Sequence, residues 1–529
     1  MIEDFDTSEK DVRILSDICI VGAGAAGITL ARRLKDSGLN VLLLESGGAD
    51  YEAETQDLYK GELSGLDYYD LKEARLRFFG GTTAIWGGRC AQLDAIDFEK
   101  RDWVDDSGWP ITGQAIAPYY IQAQKALDLA PVPDNSLPGH VCPFQEGKLT
   151  TAFWQFDETF SRFTLPSCRD IKNSKNIRVL LHANAVAIRT SENGAQVTSV
   201  EIANLKGGRG IVQARQYILA TGGLEIPRLM LSSRTQAHPY GIGNNHDQVG
   251  RYFMEHPHGR GARITSHKPQ HLLNTFPLFK RYRGQRYGML MRPSEDFQNK
   301  ACILNTGFTI DVLRHPGEQP EIYRRAYRTI KHNMAPSLTG RYVWRTFKRT
   351  SRWAQDKFGL YMRSQALKGK KYGIYTVARA EQAPNPESRV TLADDKDALG
   401  VPLAKLDWQL RDIDKASLLS AMQALDEELK RLDLGRAEPM EWLYDSTKTW
   451  VFDSLISEHD KGGYHHMGTT RMGNNPATSV TDPDCRVHGV ENLYIAGSSL
   501  FPTSGWANPT LTILALSMRL GDLLRNKNK

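Results

Sequence analysis

The sequence predicts an α/β protein with a doubly wound parallel sheet, joined to a second α+β region on an antiparallel sheet. The first observation is the order of elements near the N-terminus. Residues 17–21 form an apolar run typical of a buried strand, and a glycine-rich turn follows at 22–27. A helix-periodic run then ends at Gly38, and residues 41–44 form a second apolar run. Strand, helix and strand in this order indicate a parallel βαβ unit.

The second observation is that apolar runs of this kind return far along the chain. Residues 217–220 and 492–496 each form a short buried strand, and residues 509–524 form a closing helix. Asn508 suits the N-cap of that helix and Pro509 suits its first position. The parallel sheet is therefore expected to be discontinuous in sequence.

The region from about 262 to 450 differs from its flanks. Strand-like runs such as 301–310 and 372–381 lack any glycine-rich phosphate turn. We interpret this region as part of an inserted domain with an antiparallel sheet that covers a substrate site.

Composition limits the classes of function. The chain has 529 residues, more than one compact core usually holds, so about two domains are expected. A net charge of +6 is mild for this length and argues against a nucleic-acid binder. Six scattered cysteines show no metal-site spacing. The acidic N-terminus and the lack of a long apolar stretch predict a cytoplasmic protein, with export beside a signal-bearing partner left open.

The turn at 22–27 has the form G-x-G-x-x-G. Gly22 permits the tight turn, Gly24 lets the backbone approach a pyrophosphate, and Gly27 lets the helix pack on the strand. Glu45 ends the next strand, where its carboxylate can accept hydrogen bonds from a ribose diol. This context favours a dinucleotide site over an ordinary glycine turn, but it does not distinguish NAD from FAD.

Four further blocks of sequence bear on the choice between NAD and FAD. They lie at 78–89 (FFGGTTAIWGGR), 220–228 (ATGGLEIPR), 464–473 (YHHMGTTRMG) and 493–512, which contains LYIAGSSLFP and WANPTLT. In this order and spacing, the five blocks resemble the glucose-methanol-choline (GMC) oxidoreductase family over nearly the whole chain. The resemblance is weakest at 110–180 and 310–375. It implies an FAD-binding Rossmann-like domain with a substrate domain above the flavin.

The resemblance also implies domain limits. The FAD-binding domain is expected at 1–105, 180–262 and 455–529. The substrate domain is expected at 106–179 and 263–454, with a basic helical insert around 322–372.

By the same resemblance, His465 matches the catalytic histidine of the family and Asn508 matches its second active-site position. Substrate contacts are predicted for His466 and Trp506. The cofactor contacts that the resemblance implies are Gly22, Gly24, Ala25, Gly27, Glu45, Ser46, Arg77, Gly80, Gly81, Thr82, Trp86, Gly87, Val186, Ala220, Thr221, Gly222, Gly497, Ser498, Asn508, Pro509 and Thr510.

His465 and Asn508 have side chains that suit the oxidation of an alcohol. Hydride loss from carbon is assisted when a base removes the hydroxyl proton, and histidine has a suitable pKa. An amide can hydrogen-bond the alcohol oxygen without competing for the proton. The alternative for His465 is a purely structural role. We prefer a structural role for His466, since neighbouring residues on an extended segment point to opposite sides and only one of the two is expected to face the flavin. The helix after Asn508 is expected to aim its positive end at the flavin.

Two positions depart from the family pattern. Some members bind FAD covalently through a histidine in the loop at 80–86, where this chain has Ile85, so FAD is predicted to be non-covalent. Many members have an acidic residue near Gly497, where this chain reads Ala-Gly-Ser.

Two other features allow more than one interpretation. Glu255, His256 and His258 could suggest a metal site, but their spacing favours a structural loop, and no metal is predicted. Residues 322–372 combine many lysines and arginines with tryptophans and tyrosines and one acid, Asp356, and are expected to be helical with a break near Pro336 and Gly340. This segment is either a solvated helical cover or a contact for a membrane or protein partner.

The sequence therefore predicts FAD-dependent oxidation of a small-molecule alcohol, with a secondary hydroxyl of a sugar, glycoside or cyclitol favoured. The alternatives are a dehydrogenase or oxidase of a non-sugar alcohol and a flavin-binding relative without oxidase chemistry. The electron acceptor is left open among oxygen, a quinone and a redox protein.

Overall fold

The computed structural model describes residues 1–527 apart from 6–8, 133, 145–146, 321–336 and 458. The strands are β1 (Ile2–Asp4), β2 (Val12–Val21), β3 (Val41–Leu44), β4 (Gly61–Gly65), β5 (Arg89–Cys90), β6 (Leu149–Phe156), β7 (Ile177–Leu181), β8 (Asn184–Thr190), β9 (Val197–Ala203), β10 (Arg209–Leu219), β11 (His258–Thr265), β12 (Phe279–Tyr282), β13 (Gln285–Pro293), β14 (Gly307–Arg314), β15 (Tyr372–Arg379), β16 (Arg389–Lys396), β17 (Pro402–Trp408), β18 (Arg436–Pro439) and β19 (Leu493–Ile495).

The helices are α1 (Ala25–Leu34), α2 (Ala53–Asp57), α3 (Ala95–Phe98), α4 (Gly113–Ala126), α5 (Arg169–Lys172), α6 (Glu225–Ser232), α7 (Pro269–Thr275), α8 (Glu295–Ala301), α9 (Leu338–Ala366), α10 (Asp412–Arg431) and α11 (Thr510–Lys527). No helix in the described part of the chain is long and apolar enough to cross a membrane.

The first sheet is the predicted parallel sheet. Its order is β1-β7-β3-β2-β10-β9-β8, with β19 paired to β10. The pairs from β1 to β10 and the β10–β19 pair are parallel, whereas β9 and β8 extend the sheet in antiparallel register. One hydrophobic core contains the buried residues of strands β2, β3 and β10 and of helices α1 and α11. This is typical of parallel sheets, whose two faces are both covered.

The second sheet is antiparallel throughout. Its order is β18-β11-β15-β14-β13-β6-β5, with β12 paired to β13. Helix α10 packs against it with Leu418, Met422 and Leu425 in a core that also contains Phe308 and Ile310. A small third sheet joins β16, β17 and β4. The predicted fold class, a discontinuous parallel-sheet domain with an inserted α+β domain, is confirmed.

Several element limits differ from the sequence-based prediction. The strand predicted at 17–21 begins at Val12, because its outer end still pairs with β10. The run at 301–310 is a strand only from Gly307, since Cys302 adopts a left-handed conformation with φ of +54° at the end of α8. The helix predicted to begin at Pro509 begins at Thr510.

The basic segment also differs from expectation. Helix α9 begins after Ser337, whose side chain accepts a hydrogen bond from the backbone N–H of Gly340, so Gly340 lies in the first turn and does not break the helix. The predicted break at Pro336 and the basic residues at 324–331 lie outside the described residues.

The predicted domain limits stay a prediction. Strand β7 already belongs to the parallel sheet at Ile177, and β11 joins the antiparallel sheet at His258. Sheet membership therefore changes within a few residues of the predicted limits at 180 and 262.

Candidate functional site: a cleft at the strand ends

A large cleft lies at the carboxyl ends of the parallel strands. The residues that directly follow β2, β3, β10 and β19 are Gly22, Glu45, Ala220 and Ala496, and all four line it. The cleft encloses about 2070 Å³ of empty space, including its opening to solvent. Ligands of doubly wound sheets bind at this edge, where loops diverge and helix N-termini converge.

The glycine turn shapes one wall of this cleft. Gly22 has a φ of +105°, which favours glycine, and a Cβ at Gly27 would lie 2.0 Å from the carbonyl oxygen of Gly22. A Cβ at Gly24, by contrast, would meet no atom within 4 Å. Gly27 is therefore required for packing of the helix on the turn, whereas Gly24 leaves open the space that a ligand would enter.

Glu45 is buried beside that turn. Its carboxylate accepts hydrogen bonds from the backbone N–H of Ala23 at 3.0 Å and of Gly47 at 2.9 Å. Burial raises the pKa of Glu45, and these N–H donors act against the rise. The carboxylate is thus held rigidly at the cleft wall, where it can accept further bonds from a diol.

The second glycine-rich loop also lines the cleft and lies against the first turn, since the backbone N–H of Gly80 donates to the carbonyl of Ala23 at 2.8 Å. Trp86 of this loop and Thr221, which follows β10, both line the cleft. Their buried side-chain atoms Nε1 and Oγ1, respectively, have no hydrogen-bond partner among the described residues. A buried donor without a partner costs about 1–3 kcal/mol, so these atoms fit a polar ligand that would satisfy them. Helix α9 holds the loop in place, because Lys348 Nζ donates to the carbonyl of Trp86 at 2.5 Å and Arg352 donates to that of Gly87 at 2.7 Å.

His465 and Asn508 meet in the same cleft. The side-chain amide nitrogen Nδ2 of Asn508 lies 3.1 Å from His465 Nε2. The other ring nitrogen of His465, Nδ1, lies 2.8 Å from Nδ1 of His256, and Nε2 of His256 lies 2.8 Å from the carbonyl oxygen of Gly505. Four groups from three distant parts of the sequence therefore form one series of hydrogen bonds.

These hydrogen bonds determine which ring nitrogen of each histidine carries the hydrogen. The carbonyl of Gly505 can only accept, so Nε2 of His256 carries the hydrogen and its Nδ1 accepts. Nδ1 of His465 must then donate, which leaves a lone pair on His465 Nε2 that faces the amide of Asn508. Burial lowers the pKa of His256 to about 4. Burial, together with the nearby His256, holds the pKa of His465 well below 6.5. Both rings are thus neutral at pH 7.

Glu255 supports the backbone beneath His465. Its carboxylate accepts from the backbone N–H of His465 at 2.9 Å and of Gly463 at 3.0 Å, and from the hydroxyl of Tyr68 at 2.7 Å. Burial raises the pKa of Glu255 to about 7. A Cβ at Gly463 would lie 2.4 Å from the His465 ring, so glycine at this position makes room for the ring.

The comparisons with known proteins agree with this architecture. Family models described as GMC oxidoreductase match residues 167–258 and 384–517, and a model of an NAD(P)-binding Rossmann-like domain matches residues 20–49. The chain belongs to the GMC oxidoreductase family.

Three relatives illustrate the range of this family. The 2-methyl-1,2-propanediol dehydrogenase of Mycolicibacterium austroafricanum is 24% identical, with 97% of this chain and 95% of that protein covered. The fructose dehydrogenase large subunit of Gluconobacter japonicus is 21% identical, with 97% and 98% covered. The crystal structure of pyridoxine 4-oxidase from Mesorbium loti shares the fold with a TM-score of 0.55 at 17% identity, covering 96% of this chain and 99% of that one.

Most of the predicted site residues of this GMC oxidoreductase line the cleft. These are Gly22, Gly24, Ala25, Glu45, Ser46, Gly80, Gly81, Thr82, Trp86, Gly87, Ala220, Thr221, Gly222, His465, His466, Gly497, Ser498, Trp506, Asn508, Pro509 and Thr510. Gly27 packs behind the turn. Ile85 lies at the end of the short 3-10 helix Gly81–Ala84 and packs against Phe160 and Trp344.

Two predicted cofactor contacts lie elsewhere. Arg77 borders an adjoining small pocket, which shares Ser46 and Thr221 with the main cleft, and it forms a buried ion pair with Glu225 at 3.0 Å. Val186 lies on β8 and is not among the residues that line the main cleft.

The two predicted substrate contacts differ in detail from expectation. Both His465 and His466 line the cleft, since this segment is not part of a strand and the expected alternation of neighbouring side chains does not apply. His466 Nε2 lies 3.0 Å from the Tyr68 hydroxyl. Trp506 is only 1% exposed, and its indole N–H donates to Asp94 at 2.6 Å, which leaves little ring surface to stack on a sugar.

Sequence reasoning missed the role of His256. Glu255, His256 and His465 form a cluster with the spacing of a metal site among the described residues. The ring nitrogens of His256 are already bonded to His465 and Gly505, and His258 Nδ1 lies 2.6 Å from the carbonyl of His459. These bonds give the 255–258 segment a structural role that fits the loop interpretation. No spacing signal could join His256 to a residue 209 positions away.

Proposed function

We propose that this GMC oxidoreductase oxidises an alcohol to a carbonyl compound, with non-covalently bound FAD as the hydride acceptor. As substrate we propose a secondary hydroxyl of a sugar, glycoside or cyclitol. The likeness to a fructose dehydrogenase subunit supports a sugar, whereas the likeness to a diol dehydrogenase supports the non-sugar alternative.

One observation carries the proposed chemistry: a neutral histidine presents a lone pair beside an amide donor in the cleft. Without substrate, the amide of Asn508 donates to His465 Nε2 at 3.1 Å. A substrate hydroxyl that displaces this bond would donate its proton to the ring nitrogen and accept a hydrogen bond from the amide. A protonated His465 could not act as this base, so the lowered pKa suits the role.

The cleft fits FAD at several places. The open space at Gly24, the fixed carboxylate of Glu45 and the partnerless atoms at Trp86 and Thr221 suit a pyrophosphate, a ribose and a polar ring system, respectively. When bound, FAD would supply the acceptor for the hydride. Pro509 and Thr510 bring the N-terminal end of α11 to the cleft, where its partial positive charge would stabilise negative charge.

The hydroxyl proton passes to His465 and stays there. As the C–H bond of the alcohol loses its hydride, His465 Nε2 takes the hydroxyl proton, and His465 becomes a cation. Its Nδ1–H stays bonded to His256, which in turn stays bonded to Gly505, so the ring keeps its orientation throughout. The product carbonyl then retains the hydrogen bond from Asn508.

Anaerobic mixing with candidate substrates tests this function. Bleaching of the oxidised flavin spectrum without oxygen requires hydride transfer, so a panel of sugars, glycosides, cyclitols, simple diols and primary alcohols separates the alternatives. Fastest bleaching by a sugar-like secondary alcohol is expected. Fastest bleaching by a simple diol would favour the non-sugar alternative, and no bleaching by any alcohol would contradict an oxidoreductase role for the cleft.

Stopped-flow flavin reduction in three variants then tests the residues. His465→Ala should reduce flavin at least about 100-fold more slowly than wild type, the usual scale of general acid–base catalysis, with normal FAD content. Asn508→Ala should slow reduction less. His466→Ala should be milder than His465→Ala, because its ring nitrogen is bonded to Tyr68. Wild-type rates in all three variants would place the site elsewhere.

A further inference from the structure

Helix α9 exposes an unusual set of side chains in its second half. Trp353, Phe358, Tyr361 and Met362 are 57%, 49%, 64% and 58% exposed, respectively. Trp353, Lys357 and Tyr361 follow one another at four-residue spacing and form one ridge, and Phe358 and Met362 form the next. Scattered exposed apolar residues need no explanation, but a contiguous patch of large side chains marks an interaction surface.

Cations accompany these apolar side chains. Arg349 and Lys357 are exposed on α9, and Lys368, Lys370 and Lys371 follow directly after the helix and are exposed as well. The one acidic residue of the helix, Asp356, is turned away, because it pairs with Arg281 at 2.7 Å and with Arg286 at 3.1 Å. The exposed face of α9 is therefore apolar and positively charged.

The rest of the helix is fixed to the protein. Trp344 is fully buried against Ile85 and Phe160, and Lys348 and Arg352 hold the glycine loop. Further along, the hydroxyl of Ser364 donates to the side chain of Gln270 on α7 at 2.7 Å. The exposed ridges thus belong to a helix anchored at both ends, not to a loose segment.

We propose that this face of α9 docks on the surface of an anionic lipid bilayer. Aromatic and long apolar side chains that alternate with lysine and arginine along one helix are the composition of helices that lie in the membrane interface. Anionic headgroups complement the five cations of the surface. Self-association is less suitable, since a symmetric dimer through α9 would set cations against cations.

Docking would also place the functional cleft near the lipid surface. The loop that α9 holds lines the cleft at Trp86 and Gly87, and the thickness of one helix, about 10 Å, separates this loop from the exposed ridges. A membrane-bound enzyme would then exchange ligands of the cleft close to the headgroups.

Vesicle co-sedimentation of the FAD-loaded, full-length protein tests the proposal. The probes are phosphatidylcholine vesicles with and without phosphatidylglycerol, at low and at physiological salt. Binding is expected only with phosphatidylglycerol, and it should weaken as salt rises, because surface attraction is screened. Tryptophan emission should shift to the blue on binding, and Trp353→Phe should remove most of that shift.

Two double variants locate the surface. Arg349→Gln with Lys357→Gln should bind about 25-fold more weakly, at about fivefold for each cation, and Trp353→Ser with Tyr361→Ser about tenfold more weakly. The matched controls replace exposed residues elsewhere: Lys300→Gln, and Tyr240→Ser with Tyr444→Ser. Flavin content and anaerobic reduction should equal those of wild type in all variants, which shows that the fold is intact.

Four results would overturn the proposal. Absence of binding to anionic vesicles at low salt would do so, as would binding that the α9 variants leave unchanged. Loss of self-association in the aromatic variant, measured by sedimentation velocity without any vesicle binding, would assign the face to a second copy of the chain. Binding to an acidic protein in place of vesicles would assign it to a protein partner.

Discussion

His256 determines which nitrogen of His465 can act as a base. Its imidazole has one fixed donor, bonded to Gly505, and one acceptor, bonded to His465. A neutral histidine in this position orients the base without adding a negative charge, so it does not raise the pKa of the neighbour as a carboxylate would. His256 is therefore a positioning residue for the proposed base.

Replacement of His256 tests this positioning role. His256→Leu fills a similar volume without an acceptor, so His465 loses its fixed tautomer and flavin reduction should slow by about 10- to 100-fold. His256→Gln retains an acceptor oxygen and should stay within a few-fold of wild type. Stopped-flow reduction at saturating and limiting substrate separates the effect on kcat from that on KM, and the loss should lie in kcat. Equal loss in both variants would indicate a purely structural role.

The pH profile provides a second readout at the same residue. The pKa of His465 lies well below 6.5, so the reduction rate should rise with pH only on the acidic side of 6.5 and stay level above it, where the base is already neutral. His256→Gln removes a ring that is itself neutral above about pH 4 and leaves His465 buried, so the inflection should stay on the acidic side of 6.5. A wild-type inflection above pH 7 would contradict the assignment.

At the scale of elements, two glycines of the first glycine turn have different roles: Gly27 is needed for folding and Gly24 for ligand binding. A Cβ at Gly27 collides with the carbonyl of Gly22, whereas a Cβ at Gly24 meets nothing. We expect Gly27→Ala to lower the melting temperature of the apoprotein. Gly24→Ala should leave that temperature unchanged and weaken FAD binding, because the methyl group occupies ligand space. Differential scanning fluorimetry with and without FAD measures both, and a loss of apoprotein stability in Gly24→Ala would contradict this division.

The contact between α9 and the second glycine loop is also testable. Lys348 and Arg352 donate to the carbonyls of Trp86 and Gly87, so their removal should loosen one wall of the cleft. Lys348→Met with Arg352→Met should release FAD about tenfold faster, since each lost charged hydrogen bond is worth about 1.5–3 kcal/mol and part of this is recovered by water. The matched control is Arg349→Met, an exposed cation on the same helix. Flavin fluorescence on dilution measures the rate.

At the scale of the whole molecule, the cleft brings together segments that are distant in sequence. Residues of the segments 22–26, 80–87, 220–222 and 497–510 line this cleft. A ligand that binds only the folded state stabilises it by mass action, so added FAD should increase the melting temperature with a concentration dependence.

The linkage of FAD is predicted to be non-covalent, since Ile85 has no nucleophile and is packed against Phe160 and Trp344. Acid or heat denaturation should therefore release yellow flavin into the filtrate. Flavin that remains with the precipitate would contradict the prediction and would direct attention to the histidines that line the cleft.

The local elements of the fold could be read from the sequence because they depend on nearby residues. The turn at Gly22, the strand at Val41–Leu44 and the closing helix after Pro509 follow from steric freedom, apolar periodicity and helix N-terminal preference. The family resemblance added the His465–Asn508 pair, which the structure brings to 3.1 Å.

The rest was decided by tertiary structure. The hydrogen bond between His256 and His465 joins residues that are 209 positions apart, and the ion pair between Arg77 and Glu225 joins residues that are 148 positions apart. The burial of Trp506 against Asp94 spans 412 positions. Periodicity and propensity act over a few residues, so they determine strands, helices and turns. Proton positions, pKa values and cleft exposure depend on what packing brings together and keeps from water, and only the folded chain determines them.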